Sequence, residues 1–204
     1  MRQWLARTWS NLFSVSWQVL CLYRLIQFFR RKRGFKFLMV ALAYFQQVLS
    51  GCHIHYTAKI GKDCHFPHPV GIVIGSYVQI GDHVKIFQHV TLGSHGRYGE
   101  EAGYPIVEDD VTIYTNSIII GALTIGKGAV IGASSLVLSD VPAHGLVYGN
   151  PARLRGFICT CGEKLAKDSV PQSEAHDAVC LVCGKCGARY TVSGKALERF
   201  SKNT

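Results

Sequence analysis

Ile74-Gly75-Ser76-Tyr77-Val78-Gln79-Ile80-Gly81-Asp82-His83-Val84-Lys85-Ile86 keeps a beat of six. An aliphatic residue stands at 74, 80 and 86, glycine follows the first two, and valine stands four on at 78 and 84. Working outward, the beat continues to Leu92, reaches back through Phe66 and Ile60 to Ile54, and resumes at Val107, Ile113, Ile119, Ile125, Ile131 and Val137. Ala58, Cys64, Val90, Ala129 and Ser135 repeat the small or branched position. This period fits neither an α-helix nor a flat amphipathic strand. It fits a solenoid in which each hexapeptide is a short strand plus a corner and three of them make a triangular coil. The apolar residue points inward and stacks on its equivalent one coil along, a pattern that an ordinary β-sandwich would not keep in phase.

Two irregularities break the beat. Phe66-Pro67-His68-Pro69-Val70-Gly71-Ile72-Val73 slips it by two residues, and a loop from Gly93 to Pro105, carrying Ser94, His95, Tyr98, Glu100, Glu101 and Tyr104, leaves the coil. A chain that needed only to stack would not interrupt itself, so function is expected at these breaks.

The 204 residues suffice for one good-sized domain with small appendages, and the net charge of +9 is unevenly spread. No Asp or Glu precedes Asp63, whereas ten Lys or Arg do. One end of the molecule is therefore suited to an anionic surface. In residues 1–52, Trp4, Leu5, Trp9, Leu12, Phe13, Trp17, Leu20, Tyr23 and Phe28 recur at roughly helical spacing, closed by Arg30-Arg31-Lys32-Arg33-Gly34. A second helix is expected over Phe35 to Leu49, ending at Ser50-Gly51. Ser14, Ser16, Gln18, Arg24, Gln27 and Lys36 interrupt any spanning apolar run. The pair suits either peripheral contact with an anionic membrane or packing on the solenoid and its copies. No nucleic-acid module accompanies the charge. Scattered Cys21, Cys52 and Cys64, with no signal-peptide pattern, point to the cytoplasm, with the basic end peripheral at the inner membrane face.

Residues 157–204 hold Cys159-Thr160-Cys161-Gly162 and Cys183-Gly184-Lys185-Cys186-Gly187. Two thiols on each of two glycine-backed turns make a four-cysteine zinc ribbon, with structural Zn2+ held by Cys159, Cys161, Cys183 and Cys186. Cys180 is a fifth candidate, but Gly184-Lys185 between Cys183 and Cys186 makes the better turn. No thioredoxin-like βαβ context supports a redox role. With Val179, Leu181 and Tyr190 as its main apolar content, such a segment needs the metal to fold.

From Ile54 to Gly156 the chain resembles the hexapeptide-repeat acyltransferases with a left-handed parallel β-helix, near their serine O-acetyltransferase and sugar O-acetyltransferase branches. The matching stretches are Ile54-His55, Ala58-Lys59-Ile60-Gly61, His68-Pro69-Val70-Gly71-Ile72-Val73-Ile74-Gly75, Gln88-His89-Val90-Thr91-Leu92-Gly93, Ile131-Gly132-Ala133-Ser134-Ser135 and Gly149-Asn150-Pro151-Ala152-Arg153. The resemblance implies a mainly β fold whose β-helix domain spans 53–156. It also implies a homotrimer with sites between subunits, acetyl-CoA as donor and a hydroxyl acceptor. His68 falls on the catalytic histidine, and an imidazole near pKa ~6.5 can take the proton of a hydroxyl as acyl transfer begins. Gly93, Ser94, Thr115 and Ala133 fall on the pantetheine channel, where bare N–H groups can also bind the developing oxyanion. Arg153 and Arg155 are candidates for the CoA phosphates, Arg153 equally for closing the solenoid's end.

The chain departs from the serine enzymes at three places: His53 stands for an acid, Pro67 for another, and Gly103-Tyr104 for an Arg-His pair. Without those charges a zwitterionic acceptor loses its anchors, which favours a carbohydrate hydroxyl held by His53, His95, Tyr98, Glu100 and Tyr104. The remaining histidines carry less: His83, His89 and His95 lie six apart on successive faces, and neither they nor His55 and His65 have a spacing that demands metal. The expectation is an O-acetyltransferase acting on a surface polysaccharide or its precursor. The alternatives are a serine O-acetyltransferase and a non-catalytic β-helical scaffold whose zinc ribbon binds a partner.

Overall fold

The computed structural model describes residues 14–32, 34–96, 103–167, 179–193 and 196–199. Each hexapeptide but that of Phe66, where His65 makes only an isolated bridge to Lys85, supplies one strand of two or three residues, grouped by coil as β1 (His53–Ile54) and β2 (Lys59–Ile60), then β3 (Val73–Ile74), β4 (Gln79–Ile80) and β5 (Lys85–Ile86). They continue as β6 (Thr91–Gly93), β7 (Ile106–Val107) and β8 (Thr112–Ile113), then β9 (Ile118–Ile120), β10 (Thr124–Ile125) and β11 (Val130–Ile131), and close on β12 (Leu136–Val137). Like strands of successive coils pair in parallel, giving the runs β1-β3-β6-β9-β12, β2-β4-β7-β10 and β5-β8-β11. The result is a left-handed parallel β-helix. Pairing of Ile54 with Ile74, and of Ile74 with Leu92, shows how the first coil absorbs the two-residue slip. Ile80 opposes Val107, so the loop is extruded without loss of register.

All thirteen apolar positions of the sixfold beat are buried, and so are Ala58, Cys64, Val78, Val84, Val90, Ala129 and Ser135. Two residues per hexapeptide therefore fill the triangular interior, and the alternate residues of each strand face out. The coil pitch leaves no room for a side chain at Gly81, where a Cβ would stand 2.8 Å from the Asp109 nitrogen. Beside it a carboxylate ladder joins the coils. Asp82 Oδ1 accepts the Lys62 N–H at 2.7 Å, and Asp109 Oδ1 accepts the Asp82 N–H at 2.9 Å.

Helix α1 (Val15–Arg30) lies across the open N-terminal edge of the first coil. Its Tyr23 hydroxyl donates to the Ala58 carbonyl at 2.7 Å and Gln27 Nε2 to that of Tyr56 at 2.7 Å, while Ser16 Oγ accepts the Phe66 N–H at 3.0 Å. Edge groups with no further coil to meet thus find partners. Helix α2 (Lys36–Ser50) runs beside α1 and ends at Gly51, whose left-handed backbone turns the chain into β1. The second helix falls one residue from its expected bounds, at 36–50, and the first begins at Val15 among the described residues. Trp4, Leu5, Trp9, Leu12 and Phe13 lie outside those residues, as does Arg33. No helix of the described residues is long and apolar enough to cross a membrane.

At the other end β13 (Gly145–Gly149) joins the third sheet and turns back antiparallel as β14 (Ala152–Phe157). The chain enters the appendage without a linker: the Ile158 N–H donates to the His144 carbonyl at 2.7 Å, and Leu165 N–H to that of Phe157 at 2.9 Å. There β15 (Ala166–Lys167), β16 (Val179–Val182), β17 (Arg189–Ser193) and β18 (Ala196–Arg199) form an antiparallel sheet. Its core differs from the expected one. Val179, first residue of β16, is exposed, and Phe157, carried in at the end of β14, packs with Leu165, Leu181 and Tyr190.

Candidate active site

The first sheet carries an open cleft of about 310 Å³ on its outer face. It gathers four of the residues expected to act, His53, Gly93, Ser94 and Tyr104, and adds His55, Ser76 and Thr91. No Asp, Glu, Lys or Arg lines it among the described residues. His53 is exposed on β1 with Nδ1 3.4 Å from Gln47 Oε1 on α2. His55 is tied down more firmly, its Nδ1 accepting from the Thr57 hydroxyl at 2.8 Å and the Thr57 N–H at 3.2 Å. The same hydroxyl accepts the Tyr77 N–H at 3.1 Å, so its proton is directed to the imidazole and fixes the tautomer with hydrogen on Nε2. Burial, and then the neighbouring His53, push the His55 pKa below the usual histidine value. Tyr104 packs on Tyr77 with ring centroids 5.8 Å apart.

His68 does not line the cleft. Its side chain is exposed in the slipped corner between the third and first sheets, where its carbonyl accepts the Val70 N–H at 2.8 Å. That corner begins a column running up the β-helix. The His89 N–H donates to the Val70 carbonyl, Asn116 N–H to Gln88, and Ser134 N–H to Thr115, at 2.9 to 3.0 Å. Thr115 and the exposed Ala133 belong to this column, one and two coils above Gln88. Gln88 Oε1 is buried in the column with no hydrogen-bond partner among the described residues. Such an orphaned acceptor suits a ligand N–H arriving along the corner.

His95 does not line the cleft; its imidazole lies over Gly121, just past β9 in the same sheet, where a Cβ would come within 2.7 Å of Nε2. Tyr98 and Glu100 are outside the described residues. Arg153 and Arg155 sit on β14 at the far end. Arg153 lines a groove with Ser139 and Asp140, and Arg155 lies over the Tyr148 ring, 5.4 Å from its centroid. His55, Ser76, Thr91 and Gln88 are site residues that the sixfold pattern does not single out. The alternation of β1 puts His55 on the same face as His53, and Gln88-His89 lay in a matching stretch, so both could have been read.

In the appendage the sulfurs of Cys159, Cys161, Cys183 and Cys186 lie within 4.8 Å of one another, and Cys180 is not among them. Two pairs, Cys159 with Cys186 and Cys161 with Cys183, stand 3.5 Å apart. These spacings fit a tetrahedral thiolate site with metal–sulfur bonds near ~2.3 Å. Burial pushes the Cys159 thiol up, but the Cys161 N–H and the Tyr190 hydroxyl outweigh it and hold it at about 6. The hydroxyl oxygen of Tyr190 accepts the Thr160 N–H at 3.3 Å, which leaves its proton for the sulfur 3.1 Å away.

Serine acetyltransferase of Bacillus licheniformis is 39% identical over 142 residues, 69% of this chain and 62% of that protein. Serine acetyltransferase of Helicobacter pylori is 34% identical over 122 residues, 60% of this chain and 71% of the relative. A dTDP-3-amino-3,6-dideoxy-α-D-galactopyranose 3-N-acetyltransferase of Aneurinibacillus thermoaerophilus is 40% identical over 91 residues, 45% and 42% of the two chains. The crystal structure of serine acetyltransferase from Vibrio cholerae superposes with a TM-score of 0.68 at 34% identity, over 72% of this chain and 57% of that one. No family model matches the chain. The β-helix, its slipped corner and these relatives define the class: the chain belongs to the hexapeptide-repeat acyltransferase family. It spans 62% of the Bacillus licheniformis relative and 57% of the Vibrio cholerae chain, less than two thirds of either.

Proposed function

We propose that the protein is an O-acetyltransferase moving acetyl from acetyl-CoA to a sugar hydroxyl of a surface polysaccharide or its precursor. His68 takes the hydroxyl proton as the oxygen attacks the thioester carbonyl. Collapse of the tetrahedral intermediate breaks the carbon–sulfur bond, and the imidazolium returns the proton to the CoA thiolate. Backbone N–H groups at Gly93 and Ser94 are the candidates for the oxyanion, Thr115, Ala133 and Gln88 for the pantetheine arm, and Arg153 and Arg155 for the phosphates. The acceptor would lie among His53, His95, Tyr98, Glu100 and Tyr104, completed by a neighbouring subunit of a homotrimer. The observation that carries the sugar reading is the cleft's lack of charged side chains among the described residues, since a free amino acid needs counter-charges for both its ends.

The serine reading is favoured by a different observation: most of the relatives named above are serine acetyltransferases. Incubation with acetyl-CoA and either L-serine or nucleotide sugars, following free CoA, separates the two. His68→Ala should abolish release with either acceptor while leaving the oligomer intact. Retained activity overturns the role of His68, and absence of acetyl-CoA binding by calorimetry would leave the scaffold reading.

Residues 1–52, 53–156 and 157–204 act in this proposal as an N-terminal helical segment, the acyltransferase domain and a zinc ribbon. The four converging thiols fit structural Zn2+, which would cross-link the two turns. The donor and the free cysteines suit the cytoplasm, with the basic N-terminal end against the inner face of the membrane.

A further inference from the structure

Helix α2 is inside out. Its buried residues are Gln46 and Ser50, while Phe37, Val40, Tyr44, Phe45, Val48 and Leu49 are exposed, Phe37 by 86%. One polar contact ties it to α1, Gln46 Nε2 donating to the Val19 carbonyl at 3.3 Å, while Ser50 Oγ donates back along α2 to the Gln46 carbonyl at 2.7 Å. Phe37, Val40, Tyr44 and Val48 are spaced to form one stripe along the helix. At the end of the hairpin stand exposed Arg31, Lys32 and Lys36, with no carboxylate anywhere in the first 62 residues.

We propose that this face docks on an anionic phospholipid bilayer, with the stripe in the acyl boundary and the basic turn among the headgroups. Charge decides between this and a second copy of the chain. A self-complementary contact would bring two all-cationic segments together with no acid to pair them, whereas anionic lipid supplies the missing sign.

The face also bears on the acceptor. Gln47, next to Val48, lies 3.4 Å from His53 in the cleft, and α1 is hydrogen-bonded to the first coil, so a docked α2 holds that coil at headgroup depth. The acceptor is then a saccharide carried on a lipid anchor. This second step rests on the acetyl-transfer reading, and the first does not.

The test is co-sedimentation of the full chain with phosphatidylglycerol vesicles and with phosphatidylcholine vesicles, alongside Phe37→Glu. Binding to the anionic vesicles alone, weakened by salt and by roughly tenfold or more in Phe37→Glu, supports the proposal. CoA release with a soluble acceptor should be unchanged in that variant. Absence of vesicle binding overturns the docking, as does equal binding by the variant. No vesicle binding together with a smaller oligomer for Phe37→Glu assigns the face to a second copy. Anionic-vesicle binding with no acetyl transfer to any acceptor sinks the enzyme reading and leaves the docking standing.

Discussion

The Tyr190 hydroxyl and the Cys159 sulfur lie 3.1 Å apart in the buried heart of the appendage. A hydrogen bond to a metal-bound thiolate orients it and lowers its tendency to be protonated away, so Tyr190 would act on a bound Zn2+ without touching it. Tyr190→Phe should leave zinc stoichiometry near the wild-type value and speed its loss to a chelator by about tenfold. Zinc content by atomic absorption and release followed with a chromogenic chelator check both. Stripping the metal fully should make residues 157–204 protease-sensitive and leave the β-helix protected.

Gln88 presents the reverse case, a buried acceptor without a donor among the described residues. Such a group costs about 1–3 kcal/mol in the free protein. Gln88→Met should therefore hold or raise the melting temperature while raising the KM for acetyl-CoA by roughly threefold to tenfold, with kcat less affected. A variant losing stability and affinity together would make Gln88 a packing residue.

The pKa of His55 is pushed down by burial and by His53, while its Nδ1 accepts two hydrogen bonds from Thr57. On acidification the unfolded chain takes up this proton first, so stability is lost as pH falls from about 6.5 towards the depressed folded value. His55→Gln should reduce the drop in melting temperature between about pH 7 and about pH 5.5. An imidazole titration by NMR at or above the ordinary value would contradict this.

Asp109 joins two coils, accepting the Asp82 N–H at 2.9 Å and standing 3.7 Å from Lys127 Nζ. Asp109→Ala orphans the amide and should cost about 1–3 kcal/mol in urea unfolding. Asp109→Asn keeps an acceptor and loses only a surface ion pair, so it should cost less than about 1 kcal/mol.

The β-helix was legible because its rule is local and repeated: every residue of the Ile54-to-Val137 beat is buried, including Phe66 before the slip and Leu92 before the loop. The convergence of Cys159, Cys161, Cys183 and Cys186 was legible for a similar reason, since two glycine-backed turns leave few ways to fold. The direction of α2 was not. Its composition alone favours an inward apolar face, and only the bond from Gln46 to the Val19 carbonyl and the burial of Gln46 and Ser50 reveal which side is turned to α1. The cleft lay between these cases. Strand alternation is enough to put His53 and His55 on one face, but that Gly93 and Tyr104 join them depends on where a long loop re-enters the coil.

The position of α1 has one more consequence. A β-helix that ends in a bare coil offers a ready template to the next molecule, and identical coils laid end on end would grow into a fibre. Tyr23, Gln27 and Ser16 occupy the sites where such a neighbour would attach, and the antiparallel return of β14 does the same at the opposite end. Both terminal extensions thereby act as stoppers that keep assembly finite, a duty they would perform even in a chain with no chemistry at all.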